Sequence, residues 1–255
     1  MPSMKRLAIV PLACCVLLLA ACGDDDSGNG SQTTTGAGGG NGSTLPQGSE
    51  PVNLDPADFT TEIDNPYWPM TPGNRWVSRS SEERIVVEVT DRKKTVSGGI
   101  EAVVVRDTVT DNNGDFVEVT DDWYAQDRDG NIWYLGEDVR DYKGGKVVSR
   151  AGSWEHGVDG ALAGIAIPAD PERGLKYRQE YYEGEAEDRA EVLSVDARVI
   201  VPAGEFDGSL QTSDTTPLEP GVEERKYYAK GVGPVLNEKV APDRLREELV
   251  RYSVK

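Results

Sequence analysis

The chain has 255 residues, with 45 acidic side chains against 27 basic ones and a formal charge of −18. That balance excludes nucleic acid as a partner, because phosphate backbones need stripes of Lys and Arg, and here the basic residues stand singly or, as in Arg92-Lys93-Lys94, in an expected turn. The three cysteines, Cys14, Cys15 and Cys22, all lie near the amino terminus, which removes thiol catalysis, cysteine zinc sites and disulfide staples from the rest of the chain.

At the amino terminus, Lys5-Arg6 precede an apolar stretch at residues 7–21. A spanning helix needs about 20 apolar residues, so this stretch reads as an export signal, residues 1–21, and not as a membrane stem. It ends in Leu19-Ala20-Ala21-Cys22 and gives way at once to Gly23-Asp24-Asp25-Asp26. Small side chains there let a peptidase close around the backbone. The run resembles the lipobox of bacterial lipoproteins. The resemblance implies cleavage before Cys22, a diacylglycerol on its sulfur, often a further acyl chain on the new amino terminus, and attachment to the extracytoplasmic face of the cell membrane, in the cell envelope. At about 0.8 kcal/mol per buried CH₂, two or three such chains anchor a protein stably. Loss of Lys5 and Arg6 takes the formal charge to −20, a value that favours solubility in a crowded envelope.

Residues 22–50 hold the anchor and a Gly/Ser/Thr-rich tether with one large aliphatic side chain, Leu45, and no aromatic ring. Such a segment cannot bury enough surface to fold, and as a coil of that length it spans roughly 30 Å. Residues 51–255 are long enough for one domain of ordinary size.

Beyond residue 70 the hydrophobic period is two. Arg84-Ile85-Val86-Val87-Glu88-Val89, Ala102-Val103-Val104-Val105 and Val199-Ile200-Val201 are β-branched runs. Asp111-Asn112-Asn113-Gly114 and Asp127-Arg128-Asp129-Gly130-Asn131 have hairpin-turn chemistry. The expectation is an all-β domain, an antiparallel sheet forming a half-barrel, barrel or sandwich. Gly73-Asn74-Arg75-Trp76 echoes Gly174-Leu175-Lys176-Tyr177, and Tyr124-Ala125 echoes Tyr228-Ala229. These echoes suggest two units of about 100 residues, with halves at 70–150 and 170–255.

Adjacent aromatic pairs are the feature pointing toward a ligand: Tyr67-Trp68, Trp123-Tyr124, Trp133-Tyr134, Tyr181-Tyr182 and Tyr227-Tyr228. Neighbours on a strand face opposite sides of the sheet, so each of the last four pairs offers one ring to each face. In a curved sheet one set packs the wall and the other lines a concave chamber. Trp123, Tyr124, Trp133, Tyr134, Tyr181, Tyr182, Tyr227 and Tyr228 are therefore the ligand-binding candidates, against the alternative that they are ordinary core rings. The single histidine, His156 beside Ser153, lacks a Gly-x-Ser-x-Gly elbow. Asp127, Asp129 and Asn131 follow the start of a calcium loop, but Gly130 sits in the fourth place where that loop needs glycine in the sixth; a hairpin turn is the simpler reading. Asp121 and Asp122 beside Trp123 suggest a glycosidase pair, yet as strand neighbours they must point apart. No cofactor is implied.

Pro72-Gly73-Asn74-Arg75-Trp76, Val201-Pro202-Ala203-Gly204-Glu205-Phe206 and Tyr227-Tyr228-Ala229-Lys230-Gly231-Val232-Gly233 resemble punctuation in envelope lipoproteins with a β-rich domain. That domain is similar in style to half-barrels that carry lipids. The resemblance transfers no catalytic residue. The resulting expectation is a non-enzymatic, membrane-anchored protein binding an apolar or amphiphilic ligand. A protein-interaction or structural module comes second and a carbohydrate-active hydrolase third.

Overall fold

The computed structural model describes residues 45–255; Cys22, the export signal and most of the tether lie outside the described residues. Strands come in chain order as β1 (Phe59–Thr60), β2 (Arg75–Arg79), β3 (Glu83–Thr95), β4 (Glu101–Asp111), β5 (Phe116–Asp127), β6 (Ile132–Lys143), β7 (Lys146–Ser149), β8 (Trp154–Glu155), β9 (Leu162–Ile167), β10 (Lys176–Arg178), β11 (Glu180–Tyr181), β12 (Arg189–Val201), β13 (Gly204–Thr215), β14 (Glu223–Ala229), β15 (Gly233–Ala241) and β16 (Leu245–Ser253). The expected β-branched runs fall in β3, β4 and β12.

The main path runs β10-β12-β13-β14-β15-β16-β2-β3-β4-β5-β6-β9-β11, antiparallel throughout, with β1, β7 and β8 pairing at its side. This sheet curls into a nearly closed barrel, because its first and last strands, β10 and β11, are separated by one residue, Gln179. Between them runs an unsealed seam. Buried Arg178 spans it, donating from Nη2 to the Ala163 carbonyl (2.8 Å) and from Nη1 to the Glu50 and Gly48 carbonyls. The Arg178 amide also donates to the Pro46 carbonyl at 2.6 Å. Residues 45–50 thus lie along the seam, so the body's first contacts begin ahead of the boundary that composition places at residue 50.

The two halves carry the same strand programme. The run β2-β3-β4-β5-β6 is matched by β10-β12-β13-β14-β15. Gly73 and Gly174, both with positive φ, make equivalent bonds: the Gly73 amide to the Val89 carbonyl and the Gly174 amide to the Val192 carbonyl, each at 2.8 Å. The turn residues act as their chemistry requires. Asp111 Oδ1 accepts from the amides of Asn113 and Asp115, and Asp127 Oδ1 accepts from those of Asp129 and Asn131.

A loop ahead of β2 closes one end of the barrel. Gln126 Oε1 accepts from the amides of Asp64 and Asn65, and the Gly231 amide donates to the Pro66 carbonyl (2.7 Å). These bonds seat Trp68, 2 % exposed, beneath the lumen.

Candidate functional site

Register and burial together divide the lumen into an aromatic floor and a carboxyl-lined upper part. On β4, β5 and β6 the rung nearest the floor is Val103, Tyr124 and Tyr134. Above it come Val105, Asp122 and Glu137, then Asp107, Thr120 and Val139, and at the mouth Val109, Glu118 and Asp141. The second half repeats the order on β13, β14 and β15: Leu210, Tyr228 and Pro234, then Thr212, Lys226 and Asn237, then Asp214, Glu224 and Lys239. Glu247 on β16 stands opposite Asn237.

The floor is a continuous set of rings. Trp68 packs against Tyr124 (5.3 Å between centroids), Tyr228 (6.0 Å) and Trp76 (6.4 Å); Tyr124 stacks on Tyr134 (5.0 Å), which meets Trp154 edge-on (5.2 Å). Trp76 Nε1 donates to the Val232 carbonyl and Trp154 Nε1 to Glu180 Oε2, each at 2.7 Å.

Carboxyl groups above the floor are buried with few donors to meet them. Tyr134 donates its hydroxyl to Asp122 Oδ1 at 2.8 Å. Neither oxygen of Asp107 has a hydrogen-bond partner of good geometry, nor do Asp122 Oδ2, Glu137 Oε1 and Glu247 Oε1. Burial, which penalises the ionised form, holds Asp107, Asp122, Glu137 and Glu247 well above the usual carboxylate range. Neighbouring acids add to it: Glu118 on Asp107, Asp107 on both Asp122 and Glu247, and Glu180 on Glu137. Nearer the mouth, burial pushes Glu118 up to about 7, and in the second half it pushes Glu224 to about 8 against the pull of Lys226. Lys226 is itself buried, and its desolvation is outweighed by Asp214, whose Oδ2 lies 3.0 Å from Nζ.

The aromatic candidates divide as strand alternation requires. Tyr124, Tyr134 and Tyr228 face inward and come together in the floor. Trp123, Trp133 and Tyr227 belong to the outer face. Lys94 lies over the Trp123 ring at 4.7 Å, Trp133 Nε1 donates to Asp127 Oδ2, and the Tyr227 hydroxyl meets Gln211 and Glu238. Tyr181 and Tyr182 are half-buried near the seam. Asp121 and Asp122 point apart as expected. Asp121 is held outside by Arg92, Arg106 and Arg140, whose hydrogen bonds outweigh its desolvation and lower its pKa.

The other candidates are engaged locally. Asp127 accepts from the Asp129 and Asn131 amides, the Asn131 side chain and Trp133, while Asn131 Oδ1 accepts from the Ala169 amide. His156 Nδ1 accepts from the Ala163 amide, and Ser153 Oγ from the Val139 amide. Among the described residues no set of His, Cys, Asp and Glu has the grouping of a metal cage.

Sequence reasoning passed over Asp107, Glu137, Asp214, Lys226 and Glu247. A signal existed: Asp107 is in phase with Val103, Val105 and Val109, and Lys226 with Tyr228, so each charge sits in the buried parity of its strand.

No family model and no curated protein matches the chain. Two solved structures resemble it in outline. One, from Parabacteroides distasonis and described as a lipoprotein, is 13% identical with a TM-score of 0.40. The other, from Bacteroides fragilis and described as an exported protein with a YmcC-like fold, is 16% identical with a TM-score of 0.39. Each likeness covers 73% of this chain and 98% of the other. Neither is close enough to transfer a role.

Proposed function

We propose that this is a membrane-tethered, extracytoplasmic binding protein that takes an amphiphilic ligand into the carboxyl-lined part of its barrel. The ligand's apolar part would meet the ring floor, and its hydrogen-bond-donating head the acids around Asp122. One observation carries the reading: buried carboxyl oxygens without a hydrogen-bond partner of good geometry, both of Asp107, Oδ2 of Asp122, and Oε1 of Glu137 and Glu247. Orphaned acceptors cost about 1–3 kcal/mol each, and a lumen selected for stability alone would be filled by aliphatic side chains. The tethered location rests on Lys5-Arg6, the apolar stretch and the Leu19–Cys22 run.

Binding fits these acids better than hydrolysis. A glycosidase needs one protonated acid beside one ionised carboxylate, whereas Asp107, Asp122 and Glu137 are all driven toward the protonated form.

Native mass spectrometry of the full-length protein, extracted in mild detergent, should find a bound amphiphile that is lost in Asp122→Asn with Glu137→Gln. Bare protein in every preparation would remove the ligand reading. Metabolic palmitate labelling should be abolished in Cys22→Ser, and label persisting in that variant would remove the anchor. A second reading, protein interaction, is supported by exposed Phe116 at the start of β5 and exposed Val147 and Val148 within β7; crosslinking in cells from position 148 tests it.

A further inference from the structure

The two halves of the lumen differ at one set of equivalent positions. In the second half, Asp214 on β13 stands diagonal to Lys226 on β14, and Lys226 stands directly opposite Asn237 on β15. In the first half the same relations join Asp107 on β4, Asp122 on β5 and Glu137 on β6. The rings one rung below confirm the equivalence, since Tyr124 and Tyr228 both pack on Trp68. Where the second half has an ammonium group bound to Asp214, the first half therefore has a third carboxyl and no cation.

We propose that the first half of the lumen receives from a ligand the ammonium group that Lys226 supplies to the second, at Asp107, Asp122 and Glu137. This rests on the reading that the lumen binds a ligand, and names the chemistry of its head. The acceptors are present and aimed inward: all three side chains are more than nine-tenths buried, and both oxygens of Asp107, Oδ2 of Asp122 and Oε1 of Glu137 lack a hydrogen-bond partner of good geometry. A primary ammonium brings three N–H donors, and its charge favours the ionised form of an adjoining acid, so binding releases to solvent a proton that burial otherwise keeps on the cluster. A quaternary ammonium, by contrast, has no N–H to donate. The protein's net negative charge raises the local concentration of cations at the mouth.

The test is a calorimetric and thermal-shift titration of the full chain with methylammonium chloride, against sodium, potassium and tetramethylammonium chlorides at equal ionic strength. Methylammonium should bind saturably and raise the melting temperature by several degrees, while the other three have no saturable effect. Asp122→Asn and Glu137→Gln should each weaken binding at least tenfold. Asp122→Lys, which builds the second half's arrangement into the first, should abolish the response; the Asn and Gln variants decide the matter if it does not fold. No saturable response in the wild type, or an undiminished one in Asp122→Asn, overturns the proposal. A lumen ligand without an amine, found by mass spectrometry while methylammonium is silent, would sink this inference alone; silence in both experiments would sink the binding reading as well.

Discussion

Gly136 decides which side chains of β6 face the lumen. The pairing of β5 with β6 shifts between Trp123 and Tyr124, inserting one extra residue into β6. Tyr134 and Glu137, an odd number of residues apart, consequently both point inward. Gly136 makes this possible with a φ of 138°, and a Cβ there would lie 2.4 Å from the Trp154 carbonyl oxygen and 2.9 Å from the Trp123 ring. Gly136→Ala should therefore cost about 2 kcal/mol or more, read from urea unfolding; a loss below about 0.5 kcal/mol would show that β8 yields without penalty. Strict alternation, all that a sequence offers, places Tyr134 and Glu137 on opposite faces. The same rule succeeds for Asp121 and Asp122, which lie on an uninterrupted stretch of β5, so legibility ended at the bulge.

At the scale of elements, the loop carrying Trp68 acts as a stopper for the strands. Its ring touches three others contributed by β2, β5 and β14, strands drawn from both halves. Trp68→Ala should cost about 3–5 kcal/mol through the cavity it leaves, with a matching fall in the urea midpoint. Because that cavity opens beneath the lumen, the variant should also bind a fluorescent apolar dye that the wild type excludes. Unchanged stability would mean that the ring floor closes without it. Individual strands and hairpins were legible because β-branched alternation and turn chemistry are local properties. The stopper was not, since Trp68 stands outside any strand and only long-range packing gives its ring a place. The doublets on β5, β6 and β14 each turn one ring to either face, and their inward members, Tyr124, Tyr134 and Tyr228, are packed into the buried ring cluster.

For the whole molecule, the buried acids set the response to pH. Glu118 and Glu224 have an ordinary pKa of 4.5, raised on folding to about 7 and about 8. The folded state thus holds protons that the unfolded chain releases. Stability from these groups is fully present below pH 4.5 and is lost as pH rises through about 7 and then 8, by about 1.4 kcal/mol per pH unit for each group in its window. Asp121 acts oppositely. Its lowered pKa contributes stability above its ordinary 3.8 that disappears on acidification. The melting temperature, followed by calorimetry, should peak near pH 4–5 and fall steadily toward pH 8, with Glu118→Gln and Glu224→Gln each flattening the fall. A melting temperature that is level or rising from pH 5 to pH 8 would contradict this assignment of the buried acids.

The sequence by itself determined the all-β class, the turn positions, the echo between halves, the cysteine-free body and the expectation of an anchored, acidic protein. These follow from period, composition and short motifs, which act over a few residues. Only the tertiary structure decided that the sheet curls until β10 and β11 nearly meet, and that Asp107, Asp122 and Glu137 occupy in one half the inward positions that Asp214, Lys226 and Asn237 occupy in the other. Charges that sequence reads as solvated surface became interior because closure of the sheet turns one face of each strand away from bulk water, and which residues share that face depends on register between segments far apart in the chain.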